Sequence, residues 1–200
     1  LLTWEKKTKD YWVYDTQAQI FTSEGTPVGY TMTLDFATRN PNPKSLILDD
    51  NKFIIAWTEH RDREDFLAVQ LFGEDQQKLA NEFIKPVNLW WRQHTRGIPY
   101  SLLKLPSNRY LVFWASTHDH PDFKTRVNFQ LFSDAGTLLK ANYAAMKYIP
   151  ESKPIFTITL TDKVFRIWWM ELDGLYYKTY NFDGISLHNS TKISSERAER

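Results

Sequence analysis

The sequence predicts an all-β protein, a β-propeller-like array of about four four-stranded antiparallel blades. The first observation behind this fold class is a repeated unit, in which one apolar run ends in Trp and a second ends in Phe. The marker residues of the four copies are Trp4, Trp57, Trp114 and Trp168, followed by Phe21, Phe72, Phe132 and Phe182. Successive tryptophans are about 55 residues apart, a period typical of propellers and other stacked arrays of short strands.

The second observation is composition. Aromatic residues make up 16% of the 200 residues, and aromatic side chains suit the pleated, half-buried surfaces of sheets. A chain of this length buries one sizeable core. We therefore expect a single domain, residues 1–200, with units at approximately 1–44, 45–100, 101–154 and 155–200 and with the marker residues in its repeated core.

Each complete unit is expected to hold four strands, here called a to d. Strand b ends at the marker Trp and is apolar at nearly every position, so both of its faces should be covered. Strand d is more polar, as suits an outer edge strand. We place strand a at 45–48, 101–105 and 156–160, strand b at 52–57, 109–114 and 163–168, strand c at 11–21, 66–72, 125–132 and 175–182, and strand d at 26–33, 79–84, 138–143 and 185–189.

The segments between strands fit this order. Glu-Gly and Asp-Gly steps between strands c and d supply the positive φ that short hairpin turns need. Proline interrupts strand pairing and separates the units. The proline-bearing connections are at 40–43, 85–99 and 149–154.

The pattern Leu-x-Asp-Asn-x-Phe-Ile-Ile-x-Trp at 48–57, followed by Val-x-Gln-x-Phe-type strands, resembles a known repeat. That repeat, of roughly 50 residues, occurs in large secreted and surface proteins, mainly bacterial, where it is similar to propeller-type blades. Residues 11–29 match it best, and Gln77 stands where the pattern has Gly. The resemblance implies a propeller fold and a secreted, periplasmic or cell-surface location, and no particular activity.

Charge and composition exclude several classes of function. A formal net charge of +1 gives no field that favours nucleic acid or anionic membranes. No apolar run reaches the roughly 18 residues of a membrane helix. The chain has no Cys, which excludes disulfides and thiolate metal sites.

Two histidines recur in the loop between strands b and c. His60 aligns with His118, and Asp65 aligns with Asp122, whereas His120 has no counterpart. His and carboxylate side chains could ligate Zn or a similar ion. The first and last copies have no His in this loop and no two-His spacing is shared, so we expect a hydrated hairpin loop, no bound metal and no cofactor.

Catalytic motifs are absent from the sequence. It has no Gly-x-Ser-x-Gly elbow, no phosphate-binding Gly-rich loop and no His-Glu-x-x-His. Glycosidase chemistry needs two carboxylates across a cleft, and no such pair can be picked out among 24 acidic residues. We therefore predict no catalytic residue and no enzyme, with the propeller part of a glycoside hydrolase as a lesser alternative.

The candidate binding residues lie in the connection between the second and third units. They are Trp90, Trp91, Arg92, His94 and Arg96. Trp and Arg are enriched in the hot spots of protein interfaces, and Trp faces also stack on sugar rings. The competing interpretation is that both indoles fill the gap between units. We expect other protein subunits, or the rest of a longer chain, as partners and a glycan as the alternative.

The same strand pattern bears on closure. The chain opens on the end of a strand b, and the segment 191–200 is too polar for an inner strand. We expect an arc of a larger propeller, with a four-bladed ring as the alternative.

Overall fold

The computed structural model describes residues 1–9, 13–38, 41–61, 64–86, 100–106, 108–117, 125–145, 156–171 and 173–193. These residues form strands and turns and contain no helix, so the all-β prediction is confirmed. Within this part of the chain, nothing resembles a helix that could cross a membrane.

The strands form four separate sheets, numbered I to IV along the chain. Sheet I has the order β1-β2-β3, sheet II β4-β5-β6-β7, sheet III β8-β9-β10-β11 and sheet IV β12-β13-β14-β15. All pairings are antiparallel and join neighbours in sequence, so each sheet is a meander. The strands are β1 (Leu2–Lys7), β2 (Tyr14–Phe21), β3 (Pro27–Thr38), β4 (Lys44–Ile47), β5 (Phe53–Arg61), β6 (Glu64–Phe72), β7 (Phe83–Pro86), β8 (Tyr100–Leu105), β9 (Arg109–Thr117), β10 (Thr125–Ser133), β11 (Leu138–Ala145), β12 (Phe156–Leu160), β13 (Val164–Glu171), β14 (Gly174–Asn181) and β15 (Thr191–Lys192).

Consecutive sheets pack face to face. Alternate residues of a strand point to opposite sides, so Ile54 and Ala56 of β5 pack with sheet III, whereas Ile55 and Trp57 pack with sheet I. The side toward the preceding sheet is called the front face here, and the side toward the following sheet the back face. A further cluster joins the back of sheet III to the front of sheet IV through Phe113, Phe129, Phe165, Ile167, Trp169 and Tyr180. Burial on both faces explains why the b strands are apolar throughout.

Strand register defines which residues are equivalent between sheets. Phe53 lies opposite Phe72, Tyr110 opposite Phe132, and Phe165 opposite Tyr180. In all three pairs the rings are stacked, with centroids 5.2, 5.1 and 5.2 Å apart. The residue four positions after Phe53, Tyr110 and Phe165 is a tryptophan in each sheet. These tryptophans, Trp57, Trp114 and Trp169, are all buried.

This register corrects the predicted core of the last unit by one residue. Trp169 occupies the position that the sequence pattern gave to Trp168, and Trp168 is half-buried on the opposite face. Tyr180 likewise replaces Phe182, which lies in the turn after β14. The pattern failed because a slip of one residue moves every side chain of a strand to its other face, and two adjacent tryptophans give no signal to choose between them.

The remaining marker residues belong to sheets I, II and III. Phe72 and Phe132 are buried, whereas Trp4 and Phe21 of sheet I are half-buried. The pairing of Leu2 with Gln19 makes Trp4 the equivalent of Trp57, because Gln19 and Gln70 are equivalent. Sheet I holds three strands among the described residues, and its front face packs against no preceding sheet.

Two predicted outer strands are shorter than expected. The segment 185–189 makes a single bridge, between Tyr180 and Ser186, and pairing resumes only at β15. In sheet II a similar bridge joins Phe72 to Lys78, and β7 begins at Phe83. An edge strand pairs with a neighbour on one side only. An irregular outer segment therefore loses few hydrogen bonds.

The turns between strands c and d share one residue with positive φ. It is Gly25 (83°), Gln76 (66°), Gly136 (80°) or Gly184 (73°). Gln76 is the exception to the glycine rule, one residue before Gln77, where the sequence pattern placed it, and its side chain reaches the preceding sheet. Its Oε1 accepts a hydrogen bond from the Tyr30 amide at 3.2 Å, and its Nε2 donates to the Tyr30 carbonyl at 3.1 Å.

We expect the Gly136→Ala substitution to destabilise the protein by about 2–4 kcal/mol, and Gly25→Ala by about 1 kcal/mol. Both residues have nearly the same positive φ, but an added Cβ at Gly136 would lie 2.8 Å from the Cβ of Ala80, whereas Gly25 has nothing within 4 Å. Comparison of the two variants separates the free-energy cost of backbone strain from the cost of overpacking between sheets. Urea unfolding of both variants measures the difference, and equal losses would show that sheets II and III do not meet at this turn.

Candidate functional site

The strand order places two kinds of connection at opposite ends of the sheets. The a–b and c–d turns lie at one end, here called the turn end, and the b–c loops and unit-to-unit connections lie at the other, the loop end. The four sheets are aligned in the same sense, because Gln76 of sheet II bonds to Tyr30 of sheet I and ion pairs join turn-end residues of sheets II, III and IV. These pairs are Lys52 with Asp134 (3.2 Å), Arg109 with Asp183 (2.6 Å), and Lys104 with Asp49.

The sequence-predicted binding residues belong to a loop-end connection. Trp90, Trp91, Arg92, His94 and Arg96 lie outside the described residues. Their connection leaves β7 after Pro86 and enters β8 at Tyr100, so both of its anchoring points are at the loop end. Both interpretations of the two indoles, as binding residues or as side chains that fill the gap between units, therefore stay predictions.

The histidines considered as metal ligands lie in sequence at or after the end of a strand b. His118, His120 and Asp122 lie outside the described residues, and His60 lies at the end of β5, opposite Asp65 of β6. Among the residues that the structure describes, no group of three or more His, Asp or Glu side chains is placed to hold a metal ion.

Tyr100 is the central described residue of the loop end. It is buried at the start of β8, with its hydroxyl within hydrogen-bond distance of the Asn42 carbonyl and 2.8 Å from the Ala56 carbonyl. Lys44 Nζ donates to the Tyr100 carbonyl oxygen and lies 4.8 Å from the centre of its ring. Burial raises the pKa of Tyr100 well above its usual range and lowers the pKa of the Lys44 ammonium.

The connection between sheets I and II is fixed at the same place. The Asn42 amide donates to Glu5 Oε1 at 2.8 Å, and the Thr58 amide donates to the Pro41 carbonyl at 2.7 Å. Residues 41–44 therefore contact strands of sheets I, II and III. The polar groups of this cluster point at backbone carbonyls and amides, so the chemistry they support is the positioning of loops.

Two buried carboxylates at the loop end were missed by sequence reasoning. Trp57 Nε1 donates to Glu59 Oε1, and Trp169 Nε1 donates to Glu171 Oε1, each at 2.9 Å. The sequence feature that could have identified them is the Trp-x-Glu spacing, which puts both side chains on one face of a strand. Sheet III packs between the two pairs, so these carboxylates do not face each other across one cleft as a glycosidase pair would.

A shallow depression of about 650 Å³ lies on the outer edge of sheet II. Gln70 and the segment 78–82 line it. Gln70 Nε2 donates to the carbonyls of Leu71 (2.9 Å) and Ala80 (2.8 Å), and Gln19 repeats this arrangement in sheet I. The glutamine therefore holds the outer segment in place in sheets I and II, whereas sheet IV has Lys178 at this position.

Comparison of the chain with models of known protein families gives no match, and comparison with curated proteins gives none. The resemblance to propeller-type repeats rests on the repeat pattern of the chain itself.

Proposed function

We propose that this chain is a non-catalytic β-propeller-type scaffold that docks other proteins at its loop end, as part of a larger surface or envelope assembly. The observation that carries this proposal is the segregation of connections. The turn end is built from short turns tied together by ion pairs, whereas the strands that flank the b–c loops, and the strands β7 and β8 between which Trp90 and Trp91 lie in sequence, end at the loop end. Binding residues are concentrated on loops that a rigid scaffold positions.

The packing of the sheets supports the scaffold part of the proposal. Each sheet interface is filled by aromatic and aliphatic side chains, and the loop-end carboxylates of Glu5, Glu59 and Glu171 accept hydrogen bonds from a backbone amide or from Trp nitrogens. A propeller arrangement would place these interfaces around a common axis. The lectin-like and glycosidase alternatives would need a sugar-binding set at the same loops.

We expect Trp90→Ala or Trp91→Ala to weaken capture of a protein partner on the order of tenfold or more, because Trp side chains dominate interface energetics. The melting temperature should barely change. The measurement is affinity capture from a lysate of the source cells, with binding of each captured protein repeated in purified form, and a glycan array run alongside.

The core substitution Trp57→Ala is the matched control, since it should lower the melting temperature. If both loop variants unfold as that control does, the two indoles belong to the core and the docking proposal is wrong. Glycan binding that depends on Trp90 or Trp91, without protein capture, would instead favour a lectin.

A further inference from the structure

Among the residues that the structure describes, no following sheet covers the back face of sheet IV. By register, Arg166, Trp168 and Tyr177 of sheet IV occupy the positions of Leu111, Phe113 and Phe129, which pack sheet III onto its neighbour. Trp168 and Tyr177 are half-buried, and Met170 on the same face is 44% exposed. The face thus has the position and much of the chemistry of a sheet interface.

Two aromatic side chains of this face already contact each other. The rings of Trp168 and Tyr177 lie 4.9 Å apart, and the Arg166 guanidinium is 5.7 Å from the Tyr177 ring. Trp168 Nε1 donates to Thr159 Oγ1 at 2.8 Å. The indole nitrogen therefore needs no partner from a covering surface, whereas Arg166, whose buried Nε has no hydrogen-bond partner among the described residues, needs a polar group there.

Sheet I has the complementary front face. Trp4 and Phe21 are half-buried there, and Leu2 is 59% exposed. The turn residue Gly25 has nothing within 4 Å of a Cβ built on it, whereas its equivalents touch the preceding sheet. Gly184, for example, would place its Cβ 3.3 Å from Phe129. Sheet I therefore offers the surface that normally receives the back of another sheet.

The charges of the two faces match in the same way. In each ion pair between sheets II, III and IV at the c–d turns, a cation at the start of strand b meets an acid of the next turn, as in Arg109 with Asp183. The exposed cation Lys163 directly precedes β13, one residue before Val164, which is the register equivalent of Lys52 and Arg109, and the exposed Glu24 precedes Gly25 as Asp183 precedes Gly184.

We propose that sheet IV of one copy packs on sheet I of a second copy of this chain, head to tail, with Trp168 and Tyr177 against Trp4 and Phe21. This rests on the scaffold function proposed above and assigns it one partner. The exposure of Leu2 and Met170 shows that the chain's own sheets I and IV do not cover each other in this structure. A head-to-tail contact uses two different surfaces, so it generates rings or longer chains of copies.

The test uses the absence of native cysteine. Chains carrying Ser23→Cys and chains carrying Lys163→Cys are mixed and treated with a short thiol-to-thiol crosslinker. We expect a crosslinked heterodimer, on the order of tenfold more than in a mixture of Glu74→Cys with Lys163→Cys, because docking raises the effective concentration of the two thiols. Glu74 is the matched control, since it holds the turn position of Ser23 in sheet II, whose front face sheet I covers.

Light scattering on the unsubstituted chain should show a mass that rises with concentration, and Tyr177→Glu should remove both the rise and the crosslink. A monomer at every concentration without the heterodimer, or a Ser23→Cys, Lys163→Cys double variant that crosslinks only within one chain, would overturn the proposal. Capture of a different protein through Trp90 and Trp91 would still stand in that case, so the failure of self-association and that of the scaffold function are distinguishable.

Discussion

Replacing Trp169 with Ala should lower the free energy of unfolding by about 3–5 kcal/mol, whereas Trp168→Ala should cost about 1 kcal/mol or less. Trp169 is 2% exposed between sheets III and IV, stacked on Tyr176 with ring centroids 6.0 Å apart. Its loss leaves a cavity and removes the donor to the buried Glu171 carboxylate, which then stays buried with one hydrogen bond fewer. Trp168 is half-exposed and leaves no closed cavity.

Urea unfolding monitored by circular dichroism measures both values, provided that the slope with urea is the same for the two variants. Trp57→Ala should match Trp169→Ala, because Trp57 occupies the equivalent position and also donates to a buried Glu. If Trp168→Ala proves the more damaging of the two neighbours, strand β13 is shifted by one residue from the register described.

Stability should fall steeply above about pH 10, by about 1 kcal/mol per pH unit for each buried phenol. Burial raises the pKa of Tyr100, Tyr110 and Tyr180 above the usual value for tyrosine. Above pH 10 the phenols of the unfolded chain lose their protons while those of the folded chain keep them. The folded state then binds more protons, so rising pH favours unfolding, and below pH 10 these groups contribute no pH dependence.

Tyr180→Phe isolates one of these phenols. Its hydroxyl is buried and has no hydrogen-bond partner among the described residues, so its removal at neutral pH should be neutral or slightly stabilising. Above pH 10, the free energy of unfolding should fall less per pH unit, by the contribution of one phenol. Tyr100→Phe should flatten the alkaline loss equally but cost about 1–3 kcal/mol at neutral pH, because the carbonyls of Asn42 and Ala56 lose a donor. An unchanged alkaline slope in Tyr180→Phe would mean that this phenol ionises as readily in the folded chain as in the unfolded one.

The repeat allowed the strands to be located from sequence to within a few residues. Strand b was recognisable because its side chains are apolar on both faces, and the c–d turns because a residue with positive φ is needed there. The candidate binding segment at 88–96 was recognised by residue type, but its side-chain contacts lie outside the described residues. The Trp-x-Glu pairs went unnoticed although their spacing is visible in the sequence. The Tyr100 cluster went unnoticed because hydrogen bonds from a side chain to distant backbone carbonyls leave little trace in a pattern of residue types.

The sequence by itself determined that this protein is built from repeated antiparallel sheets, because continuous apolar runs at the b strands and a regular spacing between them are written in residue order. Only the tertiary structure decided that Trp169 and not Trp168 enters the core, since a one-residue choice between adjacent tryptophans depends on the partner strand. It also decided that Gln76 can replace a glycine, because the side chain is held by Tyr30 of the neighbouring sheet. Contacts between distant segments fix such positions, and a local pattern carries no record of them.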